Sequence, residues 1–327
     1  MWLATVLCCS HYLPSHPRVV RRKELFIKAI VFDRFGGTEV LHESDIEIPE
    51  PGAGQVRVRV KAAGVNALDG KVRSGAMQAA FTTPLPAVPG YELAGVVDAA
   101  GEGVTDVQVG DEVVGWADTG SYAEYALATT VARKPSGLDW EDAVALPIAG
   151  ATSERVLDLL AVTAGETVLM HGAAGGVGTI AVQLAGARGA RVIGTSGPAN
   201  QDYLRSLGAT ATLYGEGLVE RVRALAPDGV DAVLDVAGKG ALEDSIALRG
   251  GTQRIATLAD FRARELGIIF AQSPRERSAA QLAALAQEAE AGRLVTTVTA
   301  YPLAEAAAAQ QVSDAGHVRG KLVLTID

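Results

Sequence analysis

The sequence predicts an α/β protein in which a doubly wound parallel sheet is inserted after a compact, mostly β domain that the chain re-enters at its end. Three observations carry this. A glycine-rich turn joins the apolar run at Thr167 to a helical segment ending near Arg188. Beyond it, apolar runs alternate with helical stretches, the pattern of parallel strands joined by crossover helices. On both sides lie short alternating runs punctuated by proline and glycine.

The elements follow in chain order. Trp2 to Cys9 is apolar but too short to span a membrane, and its positive charges (Arg18, Arg21, Arg22, Lys23) follow it, the reverse of a signal peptide. Residues 1–26 therefore read as a poorly ordered extension. Alternating runs at 28–32, 55–61, 94–98, 111–114 and 122–125, broken by Pro49, Pro51, Pro84, Pro86 and Pro89, predict a rolled or partly closed sheet over residues 27–148. Residues 149–291 carry apolar strands beginning at Thr167, Ala190, Ala211, Val230 and Gln253, with helices at 179–188 and 218–226. Residues 292–327 return to the first style. Strands at 295–301 and 321–325 flank an alanine-rich helix at 303–311.

The stretch Gly172, Ala173, Ala174, Gly175, Gly176, Val177, Gly178 is the most informative. Ala173, Gly175 and Gly178 occupy the small-residue positions of a G-x-G-x-x-G loop, with alanine in the first. Small side chains there let backbone N–H groups and a helix N-terminus approach a pyrophosphate. A glycine-rich turn in any α/β core would read similarly. The second apolar run, closing a βαβ unit of about 30 residues, favours a Rossmann dinucleotide site.

The end of the second strand indicates which dinucleotide. NAD-selective sites place a carboxylate ~20 residues past the glycines, and here that place holds Thr195 and Ser196 with no carboxylate nearby. NADPH is therefore the expected cofactor, with the two hydroxyls as donors to its 2′-phosphate. The alternative is that they cap the following helix.

Composition narrows the class. The 327 residues, 48% hydrophobic, suffice for two cores, and no apolar run reaches the ~18 residues of a membrane span. A net charge of −9 without a large basic patch argues against nucleic acid as a partner. The only cysteines, Cys8 and Cys9, build no disulfide framework, which fits the cytoplasm. The five histidines show no metal-binding spacing, so no zinc is expected. His171, just before the loop, reads as a satisfied strand-end residue.

The motifs at 63–69, 88–97, 109–113, 173–178 and 207–209, in this order and closed by the GKLVL run at 320–324, resemble the medium-chain dehydrogenase/reductase superfamily. Within it the chain resembles the zinc-free quinone oxidoreductase (zeta-crystallin-like) branch. The resemblance implies a GroES-like catalytic domain, a Rossmann domain and NADPH-dependent reduction of a quinone, an activated alkene or a related carbonyl compound in the cleft between them. It also implies a small-molecule substrate and a homodimer. Asn66 and Tyr91 stand where zinc-dependent relatives carry Cys and His. Thr152 matches a position whose hydroxyl faces the nicotinamide, and Tyr214 stands beside the place of a tyrosine usual near the third strand. Lys71 and Asn200 replace a tyrosine and a lysine common in the branch.

Hydride transfer to such a substrate leaves negative charge on its oxygen, and without a metal a preorganised hydrogen-bond donor must stabilise it. Asn66 offers an amide for this; alternatively it orders the turn before residues 68–74. Thr152 has the competing role of capping a helix from Ser153. Lys71 and Arg73 either face the cleft or lie in solvent. Two other readings stay open: an enoyl reductase acting on a polyketide- or CoA-like intermediate, and an NADPH-binding protein with little turnover.

Overall fold

The structure, a computed structural model, describes residues 26–79, 82–271 and 277–327. Residues 1–25 of the expected extension, with Cys8 and Cys9, lie outside the described residues, and Phe26, its last residue, begins the first strand instead. Strand β1 (Phe26–Val31) pairs antiparallel with β2 (His42–Glu47). In β3 (Val56–Val65), Val56, Val58 and Val60 are buried while the interleaved Arg57 and Arg59 reach outward, the alternation expected of a half-buried strand. Helix α1 (Ala67–Arg73) follows, then β4 (Glu92–Ala100), β5 (Glu112–Trp116), β6 (Tyr125–Ala128) and β7 (Thr130–Arg133).

Two helices, α2 (Trp140–Val144) and α3 (Pro147–Leu159), lead across to the second sheet. It is assembled from β8 (Thr167–His171), α4 (Gly176–Ala187), β9 (Arg191–Ser196), α5 (Gln201–Ser206), β10 (Thr210–Leu213), α6 (Leu218–Leu225), β11 (Ala232–Asp235), α7 (Leu242–Arg249), β12 (Ile255–Thr257) and β13 (Ile269–Phe270). The chain finishes with α8 (Ala279–Glu290), β14 (Val298–Pro302), α9 (Ala306–Ala315) and β15 (Lys321–Thr325).

The second sheet runs β10-β9-β8-β11-β12-β13 and every pairing is parallel. Strand order therefore reverses between β8 and β11, and ligands of such sheets bind outside the strand ends at that point. The first sheet runs β14-β15-β3-β4-β5-β7, with β6 also on β3. Strand β15 lies antiparallel to β3, so the last strand of the chain is built into the middle of the first sheet.

Apolar packing locks the two sheets together. Val156, Val168, Ala181 and Leu234 pack in one cluster of the parallel sheet, and Leu169, Ile193, Val222 and Ile255 in another. A further cluster joins Ala62, Ala94 and Val323 of the first sheet to Ile180 of α4 and to Leu282 and Leu285 of α8. Burial of this kind contributes roughly 1.5–3 kcal/mol per large side chain. It holds the two sheets side by side as fixed walls.

Several details depart from the sequence expectation. The run at 122–125 becomes strand only at Tyr125, because Tyr122 is fully buried and donates its hydroxyl to Asp69 Oδ2 at 2.8 Å. β2 and β7 escape the periodicity test, since β2 is mostly exposed and charged and β7 is four residues long. The last helix begins at Ala306, not 303, after one tight 3₁₀ turn.

Candidate active site

The glycine-rich loop connects β8 to α4 at the reversal of strand order. Gly172 turns the chain with φ +71°, a conformation that side chains rarely adopt. Ala173 is fully buried and donates its N–H to Thr195 O at 3.1 Å, which anchors the loop to β9. Ala174 is buried as well. Gly175 is the N-cap of α4 with an extended backbone, and a Cβ there would meet only Gly172 O, at 3.5 Å. Gly176 and Val177 open the helix, and Thr179 N–H closes its first turn on Gly175 O at 2.8 Å. Gly175 N–H is taken by Gly172 O at 3.1 Å, so the N–H groups of Gly176, Val177 and Gly178 are those at the positive helix end, where an anion is favoured. At Gly178 a Cβ would lie 2.5 Å from Gly172 O and 2.6 Å from Ala173 C, so only glycine lets helix and loop approach this closely.

The end of β9 corrects the expected role of its hydroxyls. Thr195 is 1% exposed and its Oγ1 lies 3.4 Å from His171 Nδ1, turned into the sheet interior and away from any ligand. Ser196 is also buried, and its Oγ accepts from Gln201 Nε2 at 2.9 Å and donates to Gly197 O at 3.3 Å. Both are used up by the fold. His171 is the satisfied strand-end residue expected, with Nε2 3.0 Å from Ser245 Oγ and its basicity lowered by burial.

A cation occupies this corner instead. Arg319, just before β15, donates Nε to Asn200 Oδ1 and a terminal nitrogen to Ala199 O, both at 2.7 Å. Its guanidinium carbon stands 5.3 Å from the centre of the Tyr203 ring. Tyr214 is half exposed and overhangs the same turn, since a Cβ on Gly197 would lie 3.6 Å from its hydroxyl. Arg319 immediately precedes the GKLVL run at 320–324, and only the tertiary fold brings it beside Asn200.

Asn66 sits between β3 and α1 and is half-buried. Its backbone N–H donates to Asp69 Oδ2 at 2.9 Å, so it does order the turn into α1. Its side chain belongs to a second arrangement. Asn66 Nδ2 donates to Glu92 Oε2 at 2.7 Å, and Lys321 Nζ donates to Asn66 Oδ1 at 2.6 Å and to Glu92 Oε2. Glu92 is fully buried, and its other oxygen accepts Ile148 N–H at 2.7 Å from the first turn of α3. Lys321 is 6% exposed.

Thr152 requires a correction of local structure. Helix α3 starts at Pro147, so Thr152 is a buried mid-helix residue and not a cap. Proline at the first helical position was the overlooked start signal. Its neighbour Ser153 donates to Ala149 O at 2.7 Å and lies 3.0 Å from Val177 O, tying α3 to the glycine-rich loop. Arg73 neither faces the cleft nor solvent: it is 3% exposed and clamps α1 to Gln310 and Asp314 of α9.

The two walls are joined at Gly320 and Lys321. Gly320 donates its N–H to Ala174 O of the loop at 2.8 Å, and the next residue, Lys321, holds the Asn66 amide. The loop fits the pyrophosphate of a dinucleotide, and the Asn66 side chain offers a hydrogen-bond donor on the facing wall.

Residues 52–136 match the alcohol dehydrogenase GroES-like domain family, and residues 176–259 match the zinc-binding dehydrogenase family. A quinone oxidoreductase of Sus scrofa is 32% identical, the alignment covering 92% of this chain and 98% of that protein. An NADPH-dependent alkenal/one oxidoreductase of Arabidopsis thaliana is 37% identical over 65% of this chain and 58% of its own. The solved structure of the quinone oxidoreductase from Coxiella burnetii superposes with a TM-score of 0.83 at 31% identity, covering 92% of this chain and all of that one.

Proposed function

This chain belongs to the quinone oxidoreductase branch of the medium-chain dehydrogenase/reductase superfamily, and on that premise we propose that it is a zinc-independent, NADPH-dependent reductase of quinones and enones. The observation that carries the reading is the Asn66 amide, anchored across the cleft from the glycine-rich loop. Bound NADPH supplies a hydride to an electrophilic carbon of the substrate. The protein's part is to hold the cofactor and to stabilise the negative charge that develops on the substrate oxygen.

The N–H groups of Ala174, Gly176, Val177 and Gly178 would hold the pyrophosphate, with Gly172 and Gly175 shaping the turn and Thr152, on α3, assigned to the nicotinamide end by the family resemblance. Arg319 and Tyr214 would hold the 2′-phosphate, in place of the buried Thr195 and Ser196 hydroxyls. Asn66 directs an amide hydrogen at the substrate oxygen, which is adequate for a quinone or enone because the charge is delocalised.

The residues do not fit a zinc ion. Asn66 is an amide, burial pushes the Tyr91 phenol up to about 12, and the Glu92 carboxylate is bonded to Lys321 and Ile148. The Lys321 ammonium already sits on the Asn66 and Glu92 oxygens that a cation would seek. Phe261 is 65% exposed and stacks on Phe270 of the edge strand β13 at 5.1 Å, which supports a homodimer through that edge. Among the described residues no helix is long and apolar enough to cross a membrane, and the reading places the enzyme in the cytoplasm.

The test is NADPH oxidation with a 1,4-quinone and with an α,β-unsaturated ketone, before and after prolonged dialysis against chelator. Turnover with either substrate, undiminished by chelation, is the expected result. Tight NADPH binding without turnover would favour a binding protein, and turnover only with CoA-thioester enoyl substrates would favour the enoyl reductase reading.

A further inference from the structure

Lys321 is 255 residues from Asn66 in sequence, yet it is the group that decides how the Asn66 amide points. An asparagine side chain has two faces of similar shape, one accepting and one donating. Lysine can only donate and a carboxylate can only accept. With Lys321 Nζ at 2.6 Å from Oδ1 and Glu92 Oε2 at 2.7 Å from Nδ2, a flipped amide would set donor against donor and acceptor against acceptor. One orientation survives. It commits one Nδ2 hydrogen to Glu92 and leaves the other for a ligand. The ammonium on Oδ1 also polarises the amide and strengthens that remaining donor.

The same residue ties this donor to the cofactor wall. Gly320 N–H is bonded to Ala174 O within the loop, and Lys321 N–H to Thr297 O, both at 2.8 Å. Gly320 has φ +62°, and a Cβ on it would run into Thr297 O, so the bend that delivers Lys321 into the cleft needs glycine. Glu92 in turn receives Ile148 N–H at the positive end of α3, a site suited to a buried carboxylate. Loop, crossover helix and catalytic wall converge on one ammonium.

We infer that Lys321 is a positioning residue, which fixes and polarises the Asn66 amide and keeps it in register with the phosphate loop. This rests on the reading of Asn66 as the donor to the substrate oxygen. The ion pair has a further use than stability, since buried pairs of this kind are often replaceable by apolar groups at little cost.

The experiment is a double-mutant cycle on kcat with NADPH and a 1,4-quinone. Asn66→Ala should lower kcat by on the order of 100-fold or more. Lys321→Met should lower kcat about tenfold with the KM for NADPH changed less than about threefold, because it weakens the donor and leaves the loop amides in place. On the Asn66→Ala background, Lys321→Met should have almost no further effect on kcat. Equal factors on both backgrounds, or wild-type kcat in a folded Lys321→Met protein, would overturn the inference while leaving Asn66 as the donor. Wild-type kcat in Asn66→Ala would instead remove the reading beneath it. If Lys321→Met does not fold because Glu92 is left unpaired, Lys321→Met with Glu92→Gln removes both charges together and carries the same cycle.

Discussion

The two walls of the cleft are built on opposite plans. The nucleotide wall is a contiguous segment, Gly172 to Gly178, which on the proposed reading offers a ligand backbone N–H donors at one helix end. The facing wall gathers Asn66, Glu92 and Lys321 from far-separated stretches, together with the Ile148 N–H, and on the proposed reading what it offers a ligand is a side chain, the Asn66 amide. Backbone chemistry needs only that side chains be absent, so it leaves a local trace in the sequence. Side-chain chemistry needs partners, and these arrive by tertiary packing.

The glycines give the sharpest way to break this contrast. Gly178→Ala places a Cβ 2.5 Å from Gly172 O, a backbone atom that cannot yield without opening the loop. A loss of about 4 kcal/mol of stability, beyond ordinary overpacking, is expected in thermal unfolding, together with loss of NADPH binding. Gly175→Val, although bulkier, has room on the protein side, where a Cβ would find only Gly172 O at 3.5 Å and the backbone is extended. It should fold normally by circular dichroism and lose about 3 kcal/mol of NADPH affinity in calorimetric titration, because its methyl groups occupy the anion's place. Wild-type binding by folded Gly175→Val would show that the loop is a turn and nothing more.

These two glycines also mark how far the sequence could be read. The strand, loop and helix around 167–188 were legible because each follows local periodicity and turn chemistry, and the fold class followed from their repetition. Asn66 was legible as a residue type at a motif position, but its fixed amide was not, because nothing local marks Glu92 or Lys321 as its partners. Thr195 and Ser196 failed for a related reason. A strand end shows which residues are present but not which face each side chain takes, and here the interior claimed both hydroxyls.

Arg319 tests whether the nucleotide wall is as self-contained as its loop suggests. It comes from the far end of the chain to lie beside Asn200, in the turn between β9 and α5. If it supplies the positive charge for the 2′-phosphate, Arg319→Ala should weaken NADPH binding about tenfold, or ~1.4 kcal/mol, and leave NADH binding unchanged. Equal losses for both cofactors in calorimetric titration would assign Arg319 to the loop's stability instead.

The last expected effect concerns the facing wall and its dependence on pH. Burial pushes the Asp69 carboxyl up to about 7, even though Asn66 N–H and the Tyr122 hydroxyl both donate to it. In the unfolded chain an aspartate titrates near ~4. Between these values the folded protein holds more proton than the unfolded one, so stability from this group is complete below about 4 and is lost as pH rises toward 7. Asp69→Asn keeps an acceptor oxygen for the two donors and removes the titration. Its melting temperature should therefore gain on that of the wild type as pH is raised from 5 to 8, by roughly a few degrees. Parallel melting curves across that range would mean that Asp69 holds its charge throughout, and that the polar cluster around Asn66 tolerates a buried carboxylate without cost.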